Sequence, residues 1–157
     1  MSVVLIIVVF VVSFWLNRKN TFNIDNVVIG KGITYLSYQE WNWWTHNEAY
    51  YINNDNWKIL LKYEESHWAK DPNIIQIEIS EENLQKIGEI IEENKMYSWD
   101  GFQRYNKDVY DWTSRNLTVY YDNEKYIWAS WYMERPNWFH DKIGYLIEYL
   151  ETLLSMK

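Results

Sequence analysis

The chain has 157 residues and a mass of 19.4 kDa, with 48% hydrophobic and 24% charged residues. That is one domain of ordinary globular composition, and it excludes a disordered tail, a collagen-like chain and a polytopic membrane protein. A net charge of −7 without a basic stripe excludes a polyanion-binding surface, so no nucleic-acid partner is expected.

Residues 3–16 (VVLIIVVFVVSFWL) contain one polar residue, Ser13, and no charge. As a helix rising about 1.5 Å per residue they reach roughly 21 Å, short of a hydrocarbon core of about 30 Å. That length fits a signal anchor, and nothing in the run is amphipathic enough for a core helix. No small-x-small cleavage site comes after it; the next residues are Asn17, Arg18, Lys19 and Asn20. A retained anchor is therefore expected, with the membrane as a partner through residues 3–16 and Trp15 at its boundary. Arg18 and Lys19 after the apolar run favour a cytoplasmic domain by the positive-inside rule. Short N-terminal apolar runs usually export the downstream chain, which favours the opposite side, and an extracytoplasmic domain is expected. Residues 17–26 form a polar tether, and residues 27–157 a single domain.

Within the domain, residues 33–41 and 48–53 read as strands rich in β-branched and aromatic side chains. The turn Asn53-Asn54-Asp55-Asn56 leads into a strand over 57–64 that places Trp57, Ile59, Leu61 and Tyr63 on one face. Residues 74–80 alternate with Ile75, Ile77 and Ile79 inward. Ser80 is suited to cap a helix that carries Leu84, Ile87, Ile90 and Ile91 at helical spacing and ends near Lys95. A second hairpin pairs 115–122 with 126–133, and Pro136 and Asn137 open a last helix striped by Phe139, Ile143, Leu146, Ile147, Leu150, Leu153 and Leu154. The order β-β-β-β-α-β-β-α predicts an α+β fold: an antiparallel sheet of about six strands with two helices on one face, preceded by the N-terminal membrane helix.

Between the helix and the second hairpin stands Tyr97-Ser98-Trp99-Asp100-Gly101-Phe102. Asp100-Gly101 supplies a turn, and Trp99 and Phe102 are placed to pin the helix end to the sheet. From Ser80 onward this corner, a hairpin with a small residue (Ala129) on its second strand, and a Pro136-led closing helix together resemble an uncharacterised family of small exported or lipid-anchored bacterial α+β domains. The family's Asp-Gly before the first hairpin strand is Asp111-Trp112 here, and its lipid-anchor cysteine is absent, as is every other cysteine. The resemblance implies fold and compartment and carries no activity.

Catalytic and metal motifs are missing. His46, His67 and His140 form no H-x-x-x-H or H-E-x-x-H pattern, and there is no G-x-S-x-G elbow, P-loop or dinucleotide fingerprint. Glu81, Glu82, Glu89, Glu92 and Glu93 read as the solvated face of a helix. No catalytic residue, metal site or cofactor is assigned.

The unexplained feature is aromatic. There are 11 Trp, 14 Tyr and 5 Phe against 5 Gly. AT-rich coding accounts for abundant Ile, Asn, Lys and Tyr, but the tryptophan codon is G-rich. Trp57, Trp99 and Trp131 are expected in the core. The remaining excess falls in two places, Trp41, Trp43 and Trp44, and a strand face of Tyr126, Trp128 and Tyr132 that Thr118 and Tyr120 extend from the neighbouring strand. Such rings combine apolar area with a polar handle and suit a protein or glycan ligand; alternatively they cover one another as cross-strand pairs. A membrane-anchored, non-enzymatic binding module is the expected function. An immunity or inhibitor protein at the membrane, and a hydrolase with a carboxylate/His site, are the alternatives.

Overall fold

A computed structural model describes residues 32–42, 46–55, 57–67, 70–105, 113–122, 125–132 and 139–156. The expected membrane segment, the tether, Trp43 and Trp44 lie outside them. Among the described residues no helix is long and apolar enough to cross a membrane.

Among the described residues seven strands and two helices make an α+β fold. The elements are β1 (Ile33–Asn42), β2 (His46–Asn54), β3 (Ile59–His67), β4 (Asn73–Ile79), α1 (Glu81–Glu93), a 3-10 turn (Met96–Trp99), β5 (Gln103–Tyr105), β6 (Thr113–Tyr121), β7 (Tyr126–Tyr132) and α2 (Phe139–Ser155). The sheet order is β4-β3-β2-β1-β6-β7-β5. Every pairing is antiparallel except β5 with β7. Central β1 therefore joins the N-terminal meander to the second hairpin.

Alternation decides which side of each strand enters the core. Leu36 and Tyr38 of β1 stand opposite Ile52 and Tyr50 of β2, and on the other side opposite Val119 and Leu117 of β6. Ile127, Ala129 and Trp131 continue this face on β7. All are buried in one cluster with Leu84, Ile87, Ile90 and Ile91 of α1 and Phe139, Ile143, Leu146, Leu150 and Leu153 of α2. Both helices thus cover the same face of the sheet.

A bulge at the start of β1 departs from simple alternation. Ile33 pairs with Tyr121 but Tyr35 pairs with Tyr120, leaving Thr34 as the extra residue. Ile33 and Leu36, three positions apart, consequently both reach the core. Just before them Gly32 takes φ +93° and lies against the Asp122 side chain, while its carbonyl accepts from the Asp122 backbone N–H at 2.7 Å. A side chain there would face both backbone strain and a clash.

Helix α1 begins with a reciprocal cap. Ser80 Oγ accepts from the Asn83 backbone N–H at 3.2 Å, and Asn83 Oδ1 accepts from the Ser80 backbone N–H at 3.0 Å. Glu92 is the exception to the solvated acidic face: its Oε2 is buried without a hydrogen-bond partner. Burial and the nearby Glu92 carboxylate push the Tyr121 hydroxyl up to about 12.

The sheet has seven strands rather than about six, because the segment after the Trp99 corner forms β5. Trp57, expected in the core, is instead 94% exposed. The reason is local: Asp55 Oδ1 accepts from the backbone N–H groups of Trp57 and Lys58. Trp57 therefore sits in an Asx-type turn, and the strand starts only at Ile59. The last helix starts at Phe139 in the described residues, while Pro136 and Asn137 lie outside them.

Candidate functional site

The face of the sheet opposite the helices carries the candidate residues. Register sorts them into four rows across β1, β6 and β7. The first is Tyr35–Tyr120–Tyr126, and the second Ser37–Thr118–Trp128. The third is Gln39–Asn116–Ser130, continued by Gln103 on β5; the fourth is Trp41–Ser114–Tyr132, continued by Tyr105. Strand spacing of about 4.8 Å and a rise of about 3.3 Å per residue make this half of the face about 14 Å by 20 Å.

Trp41, the described member of the first sequence cluster, therefore meets the second. Trp41 and Tyr132 stand in one row with only Ser114 between them, although one comes from the first strand and the other from the last. Tyr126 and Trp128 share that face, with Tyr120 and Thr118 beside them in the expected register. Trp41, Tyr105, Tyr120, Tyr126 and Trp128 are between 39% and 70% exposed. The rings touch along the outer rows: Tyr35 and Tyr120 at 5.9 Å between centroids, Tyr120 and Tyr126 at 6.2 Å, and Tyr105 stacked on Tyr132 at 4.9 Å. Between these aromatic rows lie the hydroxyls and amides of Ser37, Thr118, Gln39, Asn116 and Ser130, with Ser37 buried at the floor.

Among the described residues no charged side chain stands on this half of the face. Charge on the same side begins beyond β2, where Lys62 bridges Glu64 at 2.8 Å and lies over the Tyr51 ring. The open face is divided into a charged part over β3–β4 and an uncharged aromatic part over β1–β6–β7–β5.

The aromatic corner builds the outer edge of this surface. Trp99 is buried against Trp131 and Phe139, with ring centroids 6.1 Å and 5.6 Å away. Gly101 takes φ +73° and donates its N–H to the Trp128 carbonyl at 2.9 Å. Asp100 Oδ1 accepts from the Trp128 backbone N–H at 2.9 Å, and the Phe102 carbonyl accepts from Ser130 N–H at 2.9 Å. The backbone of β7 beneath Trp128 is thus held on its outer side. The corner then feeds β5, which delivers Tyr105 to the fourth row.

Two members of the face, Tyr35 and Tyr105, are not among the residues expected from sequence. Tyr35 is nonetheless legible there, since Tyr35, Ser37, Gln39 and Trp41 alternate with Leu36, Tyr38 and Glu40. Tyr105 is not, because three residues of strand carry no periodic signal.

A polar cluster also stands on the helix side of the sheet, at the end reached by Glu40. Glu40, Glu48 and Glu65 form one row across β1, β2 and β3, and Arg115 of β6 stands opposite Glu40. Arg115 Nε donates to Glu40 Oε2 at 2.9 Å, and a second guanidinium nitrogen pairs with Oε1. His46 and His67 face each other across β2 and β3, 5.7 Å between ring centroids. Each is tied to a carboxylate of its own strand, His46 to Glu48 at 3.3 Å and His67 to Glu65 at 3.1 Å. No sequence motif marks this cluster, because the juxtaposition depends on hairpin register, which sets H-x-E against E-x-H. The donors pair off two by two, and no group of three or more His, Asp or Glu among the described residues is arranged to hold a metal ion. Burial, reinforced by Glu48, Glu65 and Glu151, pushes the Tyr63 hydroxyl up to about 12. Burial also raises Tyr50, whose hydroxyl donates to Glu151 Oε1 at 3.4 Å.

No known protein family matches the chain, and no curated protein is similar to it.

Proposed function

We propose that this chain is a membrane-tethered, non-enzymatic binding module whose working surface is the uncharged aromatic half of the open sheet face. One observation carries the reading. The rings of Tyr35, Trp41, Tyr105, Tyr120, Tyr126, Trp128 and Tyr132 share one face of the sheet, and both described helices lie on the other. Aromatic side chains of this size belong in cores or interfaces, and large exposed groupings of them mark interaction sites. The apolar run at residues 3–16 supplies the anchor and residues 17–26 the tether, and the domain faces away from the cytoplasm.

The test uses cells producing the full chain with a photo-reactive benzophenone residue at position 128 or at position 145. Tyr145 is exposed on α2, on the far side of the core from the open face. Adducts from position 128 and none from position 145 are the expected result. Equal labelling, or none at position 128, contradicts the reading. A reporter fused after Lys157 reports the side of the membrane, and cytoplasmic activity overturns that part.

A further inference from the structure

We infer that the occupant of this surface is an uncharged glycan chain. The inference rests on the binding-module reading above and names its ligand class. Three observations select the ligand. The first is the order of polarity across the patch. A protein interface concentrates apolar residues at its centre and surrounds them with a polar rim. Here the order is reversed: Tyr35, Tyr120 and Tyr126 on one side and Trp41, Tyr132 and Tyr105 on the other flank a strip of hydroxyls and amides, which Trp128 on β7 and Tyr51 on β2 bound at its two ends. A sugar chain matches that order, because each ring offers an apolar face to an aromatic side chain and hydroxyls to the amides beside it.

The second observation is charge. The chain carries −7 overall, yet among its described residues this half-face carries none. A polyanion needs clustered Lys and Arg, and a cationic partner needs carboxylates; the described rows present neither, and the Asp100 carboxylate at their edge is turned to the Trp128 backbone N–H. A neutral, hydroxyl-rich polymer is complementary to such a surface.

The third is size. The described rows of β1, β6, β7 and β5 make a patch of about 14 Å by 20 Å, which Asn53, Tyr51, Ala49 and Asn47 of β2 adjoin. It is enough for a few sugar units laid across the strands. Trp128 closes the polar strip on its β7 side, with its backbone held by Asp100 and Gly101. Its indole is therefore the stacking platform around which the hydroxyl contacts are arranged.

The experiment is isothermal titration calorimetry of the full chain in lipid nanodiscs. The probes are hexamers of neutral glucose, N-acetylglucosamine and mannose, with a heparin hexamer as the polyanion. At least one neutral hexamer is expected to bind with a Kd below about 1 mM. Binding should be insensitive to salt between about 50 mM and about 500 mM, since no charge is involved. Trp128→Ala is expected to weaken it roughly tenfold. Trp57→Ala, at a more exposed tryptophan that belongs to none of the four rows, should leave it unchanged. No neutral hexamer binding, binding of heparin alone, or binding that survives Trp128→Ala overturns the inference. If the sugars fail while position 128 still yields a protein adduct in cells, the glycan falls and the surface reading stands. If both fail, the surface reading falls as well.

Discussion

The two faces of one sheet use aromatic residues for different ends. On the helix side Trp131 and Trp99 are buried edge-to-face, and Phe139 packs on both. On the open side Trp128, the chain neighbour of buried Ala129, stands in solvent with Tyr126 and Tyr120. The same strands supply both sets, and only parity separates them. The contrast shows that the aromatic excess is not a single property of the composition: part of it fills the core, and part of it remains as surface that folding does not consume.

Breaking the covered face should have the largest effect. Trp131→Ala removes a fully buried indole that touches Trp99 and Phe139, and a loss of about 3–5 kcal/mol in urea unfolding is expected. A loss below about 1 kcal/mol would mean that the helix-covered cluster does not carry the fold.

Alkaline pH attacks the same face more gradually. Tyr38, Tyr50, Tyr63 and Tyr121 are all raised, burial being the first cause in each. Their neutral forms are favoured in the folded state, whereas an unfolded tyrosine titrates near about 10. Their contribution is therefore complete below about pH 10 and is lost as pH rises towards about 12 and beyond. The melting temperature should fall steadily over that range, and tyrosinate absorbance from the buried rings should rise together with loss of helical circular dichroism. Full tyrosinate absorbance with an intact helical signal would contradict the burial of these four.

Much of this contrast is legible in the sequence. Alternation on β7 separates Ile127, Ala129 and Trp131 from Tyr126, Trp128 and Tyr132, and helical spacing identifies the buried stripes of α1 and α2. The illegible part depends on local events that the alternation pattern does not report. The bulge at Thr34 shifts parity within β1, so Ile33 and Leu36 share a face that strict alternation denies them. The Asp55 side chain captures the N–H groups of Trp57 and Lys58, which takes Trp57 out of the strand and into solvent. The pairing of His46 with His67, and of Trp41 with Tyr132 in one row, is register between distant segments, and local pattern cannot supply it.

If the open-face rings are spared from structural duty, their removal should leave the fold standing, and urea unfolding of Tyr120→Ser/Tyr126→Ser/Trp128→Ser beside the parent measures that directly. Exposed cross-strand aromatic pairs contribute roughly 0.2–1 kcal/mol each. The triple variant is therefore expected to stay within about 2 kcal/mol of the parent, with the same cooperative transition. A loss equal to that of Trp131→Ala would show that these rings hold the sheet together, and that the open face is structure rather than a binding surface.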